Sequence, residues 1–496
     1  MMKAKFPKVI IGIFGLFLFS FWVNARAEWT EPVRISEPGG CLYPQIVAQG
    51  DTLHVAYTNT YGGSKVSYVR SGDYGIMWSE HQVLSDTVDS YNTYFPRIIV
   101  FNSNVIILWK ATLEGGVNRK NIGYSISQDN GLTWSETDYI FYPNWEHILY
   151  FAAASSDSFV NIILNSRIGQ DLVFFDVRST DFGESWSEPE EIFRAAMSSR
   201  TDQVSYNNMV HYVWGGFFNW EESGDVYYMR STDHGISWSE NIMLSEDDNK
   251  ISHSPAICVD ERGNVACTWW DFKYSPYQTT GDVLIRQSFD QGENWLLEEQ
   301  VTTEHRAIKS DVCWVGDSLF VVWYDRRFGP PTIYYVSSSD SIHDWSDKQR
   351  LEDDPEESRF PVVAASNGKV YVAWADDRCD PDTNICGGIY FTRWEGQVGV
   401  EEHDDTILTD DNSLEIYPNP FNSVTTLTYS NLKRDEIQIF NISGQLIRTL
   451  KVDSGKQGKI IWDATDAQGN KVSSGIYFAR ARIYNISKIV KLIYIK

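Results

Sequence analysis

Short stretches of alternating apolar and polar residues, separated by turn residues, run through most of this chain of 496 residues. In one unit the segments 43–48, 54–58, 65–71 and 78–84 alternate or run apolar, and Gly, Asn and Asp residues separate them. A period of two bounded by turn residues is typical of β-strands. The pattern therefore predicts a four-stranded unit, and it recurs along the chain as far as Leu351.

One eight-residue pattern, Ser-x-Asp-x-Gly-x-x-Trp, recurs at intervals of about 50 residues, each time between the third and fourth predicted strands. An Asp side chain can accept hydrogen bonds from the following backbone N–H groups, Gly tolerates positive φ, and Trp can bury a large apolar face. We therefore interpret these boxes as structural turns rather than active-site residues. Ile342 replaces the glycine in the last copy, and the six aspartates are Asp73, Asp129, Asp181, Asp233, Asp290 and Asp340.

The boxes resemble the Asp-box, or BNR, repeat of the sialidase superfamily over roughly residues 28–395. The resemblance implies a β-propeller whose boxes lie on the face remote from the active site. A seventh unit, near 360–394, has no box and no fourth strand, while segment 28–32 matches the outer strand at 185–189. We therefore expect an all-β protein with a seven-bladed β-propeller at 28–397, whose last blade is closed by the N-terminal strand.

The first residues have the features of an export signal. Lys3, Lys5 and Lys8 precede an apolar run at 9–23 that ends in Ala25-Arg26-Ala27. This order predicts a signal peptide at 1–27. The apolar run is shorter than the ~20 residues of a membrane-spanning helix, so we expect no transmembrane segment after cleavage.

The net charge excludes some classes of binding partner, and the cysteines indicate which disulfides can form. A formal net charge of −25 without a basic stripe argues against binding of nucleic acid or anionic membranes. In an exported chain disulfides are permitted, and the short loop between Cys379 and Cys386 favours that pair, whereas Cys258 has either Cys267 or Cys313 as a candidate partner. No metal-ligand spacing is present, and we expect no metal and no cofactor.

The composition of the chain changes after residue 397. An acidic segment at 398–412 is predicted to be a linker, and 413–496 reads as the strands of a small β-sandwich. With Tyr417-Pro418-Asn419-Pro420 near its start and a lysine at its end, this tail resembles the immunoglobulin-like C-terminal sorting domain of type IX secretion substrates. The resemblance implies export across both membranes of a Gram-negative bacterium, with the outer-membrane secretion machinery as a partner and a secreted or cell-surface product.

The face opposite the boxes, built from loops, is the predicted functional surface. There Arg359-Phe360-Pro361 precedes Ala375-Asp376-Asp377-Arg378, which resembles the sialidase signature of Arg-Ile-Pro followed by Ala-Glu-x-Arg. By that resemblance Arg359 and Arg378 would bind or support a substrate carboxylate and Asp376 would orient them. The candidate acid/base residues are Asp380 and Asp382, and the further substrate-binding candidates are Arg200, Arg306, Asp325 and Arg327.

An alternative interpretation stays open, because Asp271 with Lys273 and Asp325 with Arg327 repeat the same Asp-x-basic arrangement. These residues would then form a loop clamp, that is, a structural contact within one loop that duplication has copied from unit to unit.

Two candidate functions follow from these interpretations. One is a sialidase-like exo-glycoside hydrolase that recognises glycans and removes terminal sialic acids with clustered arginines, a Tyr-Glu nucleophile pair and an Asp acid/base. The other is a non-catalytic surface propeller that binds a glycan or a protein. No Tyr-Glu pair can be identified in the sequence.

Overall fold

The computed structural model describes residues 29–61, 63–85, 90–113, 120–140, 147–169, 171–195, 200–217, 224–276, 280–326, 329–338, 345–351, 357–379, 385–395, 414–430, 432–441, 446–452, 457–483 and 486–496. Within these ranges every regular element is a β-strand, which confirms the all-β prediction. The described part of the chain contains no helix long and apolar enough to cross a membrane. The predicted signal peptide and linker lie outside the described residues.

Seven four-stranded antiparallel sheets follow one another along the chain, and we number them in that order. Sheet 1 contains β2 (Cys41–Gln49), β3 (Thr52–Asn59), β4 (Lys65–Ser71) and β5 (Gln82–Val83). Sheet 2 contains β6 (Ser90–Phe101), β7 (Asn104–Leu113), β8 (Lys120–Ser127) and β9 (Asp138–Ile140). Sheet 3 contains β10 (His147–Ser156), β11 (Phe159–Ile168), β12 (Asp171–Ser179) and β13 (Glu190–Ala195). Sheet 4 contains β14 (Thr201–Tyr206), β15 (Met209–Phe217), β16 (Gly224–Ser231) and β17 (Ile242–Met243). Sheet 5 contains β18 (Ser252–Val259), β19 (Val265–Asp271), β20 (Asp282–Ser288) and β21 (Glu299–Gln300). Sheet 6 contains β22 (Ala307–Val315), β23 (Ser318–Asp325), β24 (Thr332–Ser337) and β25 (Gln349–Arg350). Sheet 7 contains β26 (Ser358–Ser366), β27 (Lys369–Cys379), β28 (Cys386–Trp394) and β1 (Val33–Arg34).

The outer strand of sheet 7 comes from the N-terminal end of the described chain. Strand β1 pairs with β28 so that Val33 lies opposite Phe391. Just before β1, the Trp29 ring packs edge-on against Tyr335 of sheet 6, with 5.1 Å between the ring centroids. The N-terminal end therefore supplies the fourth strand, as expected, but the strand is Val33–Arg34 and follows the segment 28–32. The fourth strand of sheet 3 likewise begins at Glu190, after the matching segment 185–189.

The first strands of successive sheets lie side by side in chain order from β2 to β26, and β26 lies beside β2. Apolar residues between neighbouring sheets form separate buried clusters, among them one that joins sheets 6 and 7 and one that joins sheets 7 and 1. Each sheet is therefore covered by its neighbours, which explains why its strands are apolar on both faces.

In the five described boxes the Asp side chain binds its own turn. In the first, Ser71 Oγ donates to Asp73 Oδ1 at 2.7 Å, and the backbone N–H of Met77 donates to the same oxygen at 2.9 Å. The N–H of Gly75, whose φ is 83°, donates to Ser71 Oγ at 2.8 Å. The same pattern recurs at Asp129, Asp181, Asp233 and Asp290. Asp340 lies outside the described residues.

The box tryptophans connect neighbouring sheets. Trp78 of sheet 1 packs edge-on against Phe391 of sheet 7 with 4.9 Å between ring centroids, and Trp134 of sheet 2 packs against Tyr68 of sheet 1 at 4.8 Å. Trp186 and Trp295 contact the preceding sheets in the same way. The box thus ends one hairpin and packs an aromatic ring against the sheet before it.

Cys379 and Cys386 form a disulfide between β27 and β28, as the short loop predicts. Cys258 forms no disulfide with either sequence candidate, and the four cysteines at 41, 258, 267 and 313 are buried thiols. Cys258 lies opposite Ala266 whereas Cys267 lies opposite Ile257, so the two side chains project from opposite faces of sheet 5. Cys313 packs in a different apolar cluster from Cys258.

Residues 414–496 form two further sheets that share one apolar core. Sheet 8 is three-stranded and sheet 9 four-stranded. Their strands are β29 (Leu414–Tyr417), β30 (Thr425–Tyr429) and β33 (Gly458–Trp462) in sheet 8, and β31 (Leu432–Asn441), β32 (Leu446–Lys451), β34 (Gly475–Ile483) and β35 (Ile486–Tyr494) in sheet 9. The fully buried Trp462 lies in this core.

Candidate functional site

The first strands of six sheets share an irregular start. A bulge interrupts the register of sheets 1, 2, 3, 5, 6 and 7 there. In four of them the bulge contains a residue with positive φ followed by proline: Tyr43-Pro44, Phe95-Pro96, Ser254-Pro255 and Phe360-Pro361. Because proline cannot donate to the ladder and each bulge adds a residue, the strand bends at this point.

These bulges surround a cavity of about 100 Å³, to which all seven sheets contribute lining residues. Neighbouring strands are antiparallel, so the start of a first strand and the box after the third strand lie at opposite ends of a sheet. The cavity therefore lies at the end remote from the boxes. Its charged lining residues come from sheets 2, 4 and 6: Arg97, Arg200, Asp202, Lys309 and Asp311.

The Arg200 guanidinium is surrounded by aromatic rings. Its central carbon lies 5.7 Å from the ring centroids of Tyr43 and Phe360 and 5.8 Å from that of Phe95. Within the described part of the chain, no acidic side chain forms an ion pair with this guanidinium. Burial is the main cause that lowers the Arg200 pKa. An arginine held by cation–π contacts without a counter-ion is suited to bind an anion from outside.

Lys309 is the second basic side chain of the cavity that forms no ion pair with an acidic side chain among the described residues. Its φ is 42°, and its ammonium nitrogen lies 5.3 Å from the centroid of the Phe360 ring. Burial lowers the Lys309 pKa well below its usual range, and Arg200 adds to the effect by charge repulsion. The cavity therefore places a lysine amine, whose protonated form is disfavoured, beside the Arg200 guanidinium.

The remaining charges bind the first strands to one another. Arg97 Nη2 donates to the Thr201 carbonyl at 2.8 Å, and Arg97 Nη1 lies 3.4 Å from Asp202 Oδ1. The other Asp202 oxygen accepts from the Ile257 N–H at 3.0 Å, and Asp311 Oδ2 accepts from the Val363 N–H at 2.9 Å. Each carboxylate thus joins its own sheet to the next one. Burial raises the pKa of both acids, that of Asp311 to about 6.

The predicted pair Arg378 and Asp376 forms a bidentate contact within sheet 7. Arg378 Nε donates to Asp376 Oδ1 at 2.8 Å and Nη2 donates to Oδ2 at 2.7 Å, while the guanidinium carbon lies 3.9 Å from the centroid of the Tyr390 ring. Asp376 also accepts from Ser358 Oγ at 2.8 Å and from Trp374 Nε1 at 2.9 Å. Its carboxylate is therefore fully used within the sheet.

Sheet 5 repeats the serine and tryptophan contacts of this arrangement, whereas the Lys273 ammonium group pairs with Glu246 and Glu298 instead of with Asp271. Asp271 accepts from Ser252 Oγ at 2.7 Å, from Trp269 Nε1 at 2.8 Å and from the Lys273 N–H at 2.6 Å. Asp271 lies opposite Ser252 in the register, as Asp376 lies opposite Ser358 in sheet 7. The third member, Asp325, is equally buried but lies opposite Ala307. The shared contacts favour a clamp that duplication repeated.

The other sequence candidates have different surroundings. Arg359 forms an ion pair with Glu357, and its Nε is buried without a hydrogen-bond partner among the described residues. The next residue, Phe360, lines the aromatic surroundings of Arg200. Arg306 lies just before β22 and is half-buried. Asp380, Asp382 and Arg327 lie outside the described residues, so their roles stay predictions.

Sequence reasoning named Arg200 and missed its neighbours Arg97, Asp202, Lys309 and Asp311. These residues follow no common motif and come from three different sheets. A residue followed by proline near the start of four units was the available signal, since it marks four of the bulges that line the cavity. Only Phe360-Pro361 was recognised, as part of the signature that contains Arg359.

Residues 18–267, half of the chain, match the family described as BNR repeat-like domain. The chain belongs to this family. Residues 415–496 match the secretion system C-terminal sorting domain, which directs this BNR protein through type IX secretion to the cell surface or the outside. No curated protein matches the chain in sequence.

Solved structures with a similar fold have low sequence identity to this BNR protein. An ulvan lyase of polysaccharide lyase family PL25 is 10% identical, with a TM-score of 0.52, over 72% of this chain and 95% of that one. A Dyadobacter fermentans protein of unknown function is 12% identical, with a TM-score of 0.48, over 74% and 98%. A Trypanosoma rangeli sialidase is 10% identical, with a TM-score of 0.43, over 92% and 84%. At such identity the ulvan lyase shows a shared fold alone.

A second cavity of the BNR protein, about 430 Å³, lies between sheets 3 and 4 on the box side. It is lined by Asp176, whose carboxylate accepts a short hydrogen bond from Asn161 Nδ2 and lies 3.5 Å from Arg178 Nη1. Burial raises the pKa of Asp176 to about 7, although Arg178 opposes the shift. In sheets 1 and 4 a tyrosine that binds a histidine occupies the equivalent position.

This raised pKa predicts a pH-dependent stability. The folded protein retains a proton on Asp176 that the unfolded chain releases, so this contribution is complete below about pH 4 and is lost as pH rises through about 7. The stability of the wild type relative to Asp176→Asn should therefore fall by roughly 2–4 kcal/mol between about pH 4 and pH 8. Urea unfolding at several pH values measures it. The exposed Asp157→Asn is the control, and parallel curves for wild type and Asp176→Asn would contradict the prediction.

Proposed function

We propose that residues 28–397 form a seven-bladed β-propeller whose central cavity binds the carboxylate of an acidic glycan outside the cell. The ring order of the first strands and the position of β1 in sheet 7 support the propeller. Within this proposal, residues 1–27 are a signal peptide, 398–412 a linker and 413–496 an immunoglobulin-like sorting sandwich. The glycan is the ligand, and the secretion machinery recognises the C-terminal sheets.

The observation that carries the proposal is the Arg200 guanidinium in its aromatic surroundings. Tyr43, Phe95 and Phe360 hold it by cation–π contacts and leave its N–H groups without an acidic partner in the described chain. A planar guanidinium can bind a carboxylate through two parallel hydrogen bonds, and aromatic side chains pack against the apolar faces of sugars. Arg97 adds positive charge to the same cavity.

Hydrolysis of terminal sialic acids is the second candidate, favoured by Asp311. This acid lines the same cavity, and a pKa of about 6 suits a proton donor near neutral pH. Arg359, Arg378 and Asp376 would then support the carboxylate from sheet 7, and Asp380 or Asp382 would be acid/base residues. The cavity lining contains no glutamate among the described residues, so the Tyr-Glu nucleophile pair of sialidases has no counterpart there. Acidic-glycan binding is therefore the better-supported function.

Titration calorimetry with the secreted protein tests the proposal. We expect N-acetylneuraminic acid and glucuronic acid to bind, neutral N-acetylglucosamine to bind far more weakly, and Arg200→Gln to lose about ten-fold or more in affinity for the acids. Arg194→Gln is the matched control, because Arg194 is an exposed arginine that pairs with Glu191 and Asp171. Equal affinity for acidic and neutral sugars, or an unchanged Arg200→Gln, would overturn the proposal. Turnover of a fluorogenic sialoside that Arg200→Gln loses would establish hydrolysis.

A further inference from the structure

Lys309 lines the same cavity as Arg200, and its amine can react covalently with a carbonyl group. We propose that the Lys309 amine forms a Schiff base with a small 2-oxo acid whose carboxylate is held by Arg200. The inference rests on the proposed anion site, but it concerns a different residue and a different step. It assigns Lys309 as a nucleophile and a 2-oxo acid as the substrate class.

The position of Lys309 is the first support. The bulge between Ile308 and Ser310 breaks the register of β22, and the positive φ of Lys309 turns this residue out of the regular pleat. Its ammonium group lies over the Phe360 ring, which also faces Arg200. A lysine and a carboxylate-binding arginine thus share one aromatic wall, which places a nucleophile beside the anchor for a 2-oxo acid.

The charges around Lys309 are the second support. Arg200 and Arg97 repel its ammonium form, and burial acts in the same direction, whereas Asp311 and Asp202 favour the charged form. The balance lowers the Lys309 pKa well below its usual range. Neutral lysines that are desolvated or placed beside another cation are the ones that attack carbonyl groups.

The chemistry uses groups that line the same cavity. The nitrogen lone pair of the neutral Lys309 amine attacks the 2-oxo carbon and forms a C–N bond, while the C–O bond of the carbonyl breaks. The oxygen leaves as water with one proton from the amine and one from the Asp311 carboxyl group, and the iminium keeps the second amine proton. A pKa of about 6 lets a fraction of Asp311 donate that proton. No oxidant or reductant is required.

The cavity size limits the substrate. By the same kind of measure a single water molecule needs about 10–15 Å³, so a cavity of about 100 Å³ has room for several waters or a small organic acid. A three-carbon 2-oxo acid such as pyruvate is therefore a suitable probe. Longer 2-oxo sugar acids would place their chain towards the loops at the open end.

Borohydride trapping of the full-length secreted protein tests the inference. With pyruvate and sodium borohydride we expect one reduced pyruvate on the peptide that contains Lys309, with labelling at least about ten-fold above that of Lys451, which is 77% exposed. Lys309→Arg keeps a long basic side chain but cannot form an imine, so it should lose this label. Arg200→Gln should lower it, and acetone, which lacks the carboxylate, should label poorly.

Each outcome separates the inference from the proposed function. Pyruvate binding in calorimetry without label at Lys309 overturns the Schiff base and leaves the anion site. Absence of binding for pyruvate and for the acidic sugars overturns both. Label spread over surface lysines, equal in the wild type and Lys309→Arg, also overturns the inference. Circular dichroism of both variants verifies that they fold.

Discussion

Replacing Asp376 by alanine is expected to lower the free energy of unfolding by about 3–5 kcal/mol, because it removes the shared partner of a buried charged network. The carboxylate is 1% exposed and binds Arg378 through two hydrogen bonds, and it also accepts from Ser358 and Trp374. Without it the Arg378 guanidinium and the Trp374 N–H lose their acceptor in a dry site. Chemical denaturation monitored by tryptophan fluorescence measures the loss.

Asp377→Ala is the matched control, since Asp377 is the neighbouring residue and its side chain is exposed. We expect a change of at most about 0.5 kcal/mol for this control. The same two variants separate the two interpretations of the motif. A repeated structural clamp predicts a loss of stability with an unchanged affinity for acidic sugars. A role in orienting the carboxylate site predicts a loss of affinity as well, and equal stabilities of the two variants would contradict the clamp.

The second large effect is expected for Gly292→Ala in the fifth box, about 3–5 kcal/mol of lost stability. Gly292 has a φ of 77°, and a Cβ at this position would lie 1.8 Å from Tyr228 Oη. That hydroxyl is bound to His211 Nδ1 at 2.7 Å inside sheet 4. A methyl group would have to displace a buried Tyr–His pair in addition to adopting an unfavourable backbone conformation.

Gly50→Ala isolates the backbone contribution. Gly50 also has a positive φ, 62°, but nothing lies within 4 Å of the position of its Cβ. This variant should lose only about 1–2 kcal/mol, the cost of a left-handed conformation for alanine. Thermal unfolding of the two variants side by side measures the difference. Equal losses would mean that the box glycine is needed for its φ alone and not for the close approach to the preceding sheet.

The local features of this protein were predictable because they depend on neighbouring residues. The boxes form the expected turns, since Ser, Asp and Gly within one octapeptide make the hydrogen bonds. The disulfide between Cys379 and Cys386 was predictable for the same reason, because a loop of a few residues keeps the two thiols close. The fourth strands were predicted too long: sheet 1 pairs only Gln82–Val83, because Trp78 leaves the sheet to pack against Phe391.

The candidate site was less predictable, because its residues are far apart in the chain. Arg97, Arg200 and Lys309 reach one cavity only because the first strands of seven sheets lie around it. The pKa values of Asp202 and Asp311 are raised mainly by burial. The sequence pattern of their own strands does not predict this burial. The prediction of Arg200 rested on its place between two units, and its aromatic contacts come from three other sheets.

The sequence by itself determined the all-β class, the box turns, the BNR family and the sorting domain, because each depends on residues that are adjacent or regularly spaced. The tertiary structure decided which charges meet. It placed Arg378 against Asp376 within sheet 7, and it left Arg200 and Lys309 in the cavity without an acidic partner among the described residues. Coulomb interactions and desolvation depend on distances through space, and those distances are set by the packing of sheets whose strands are separated by hundreds of residues.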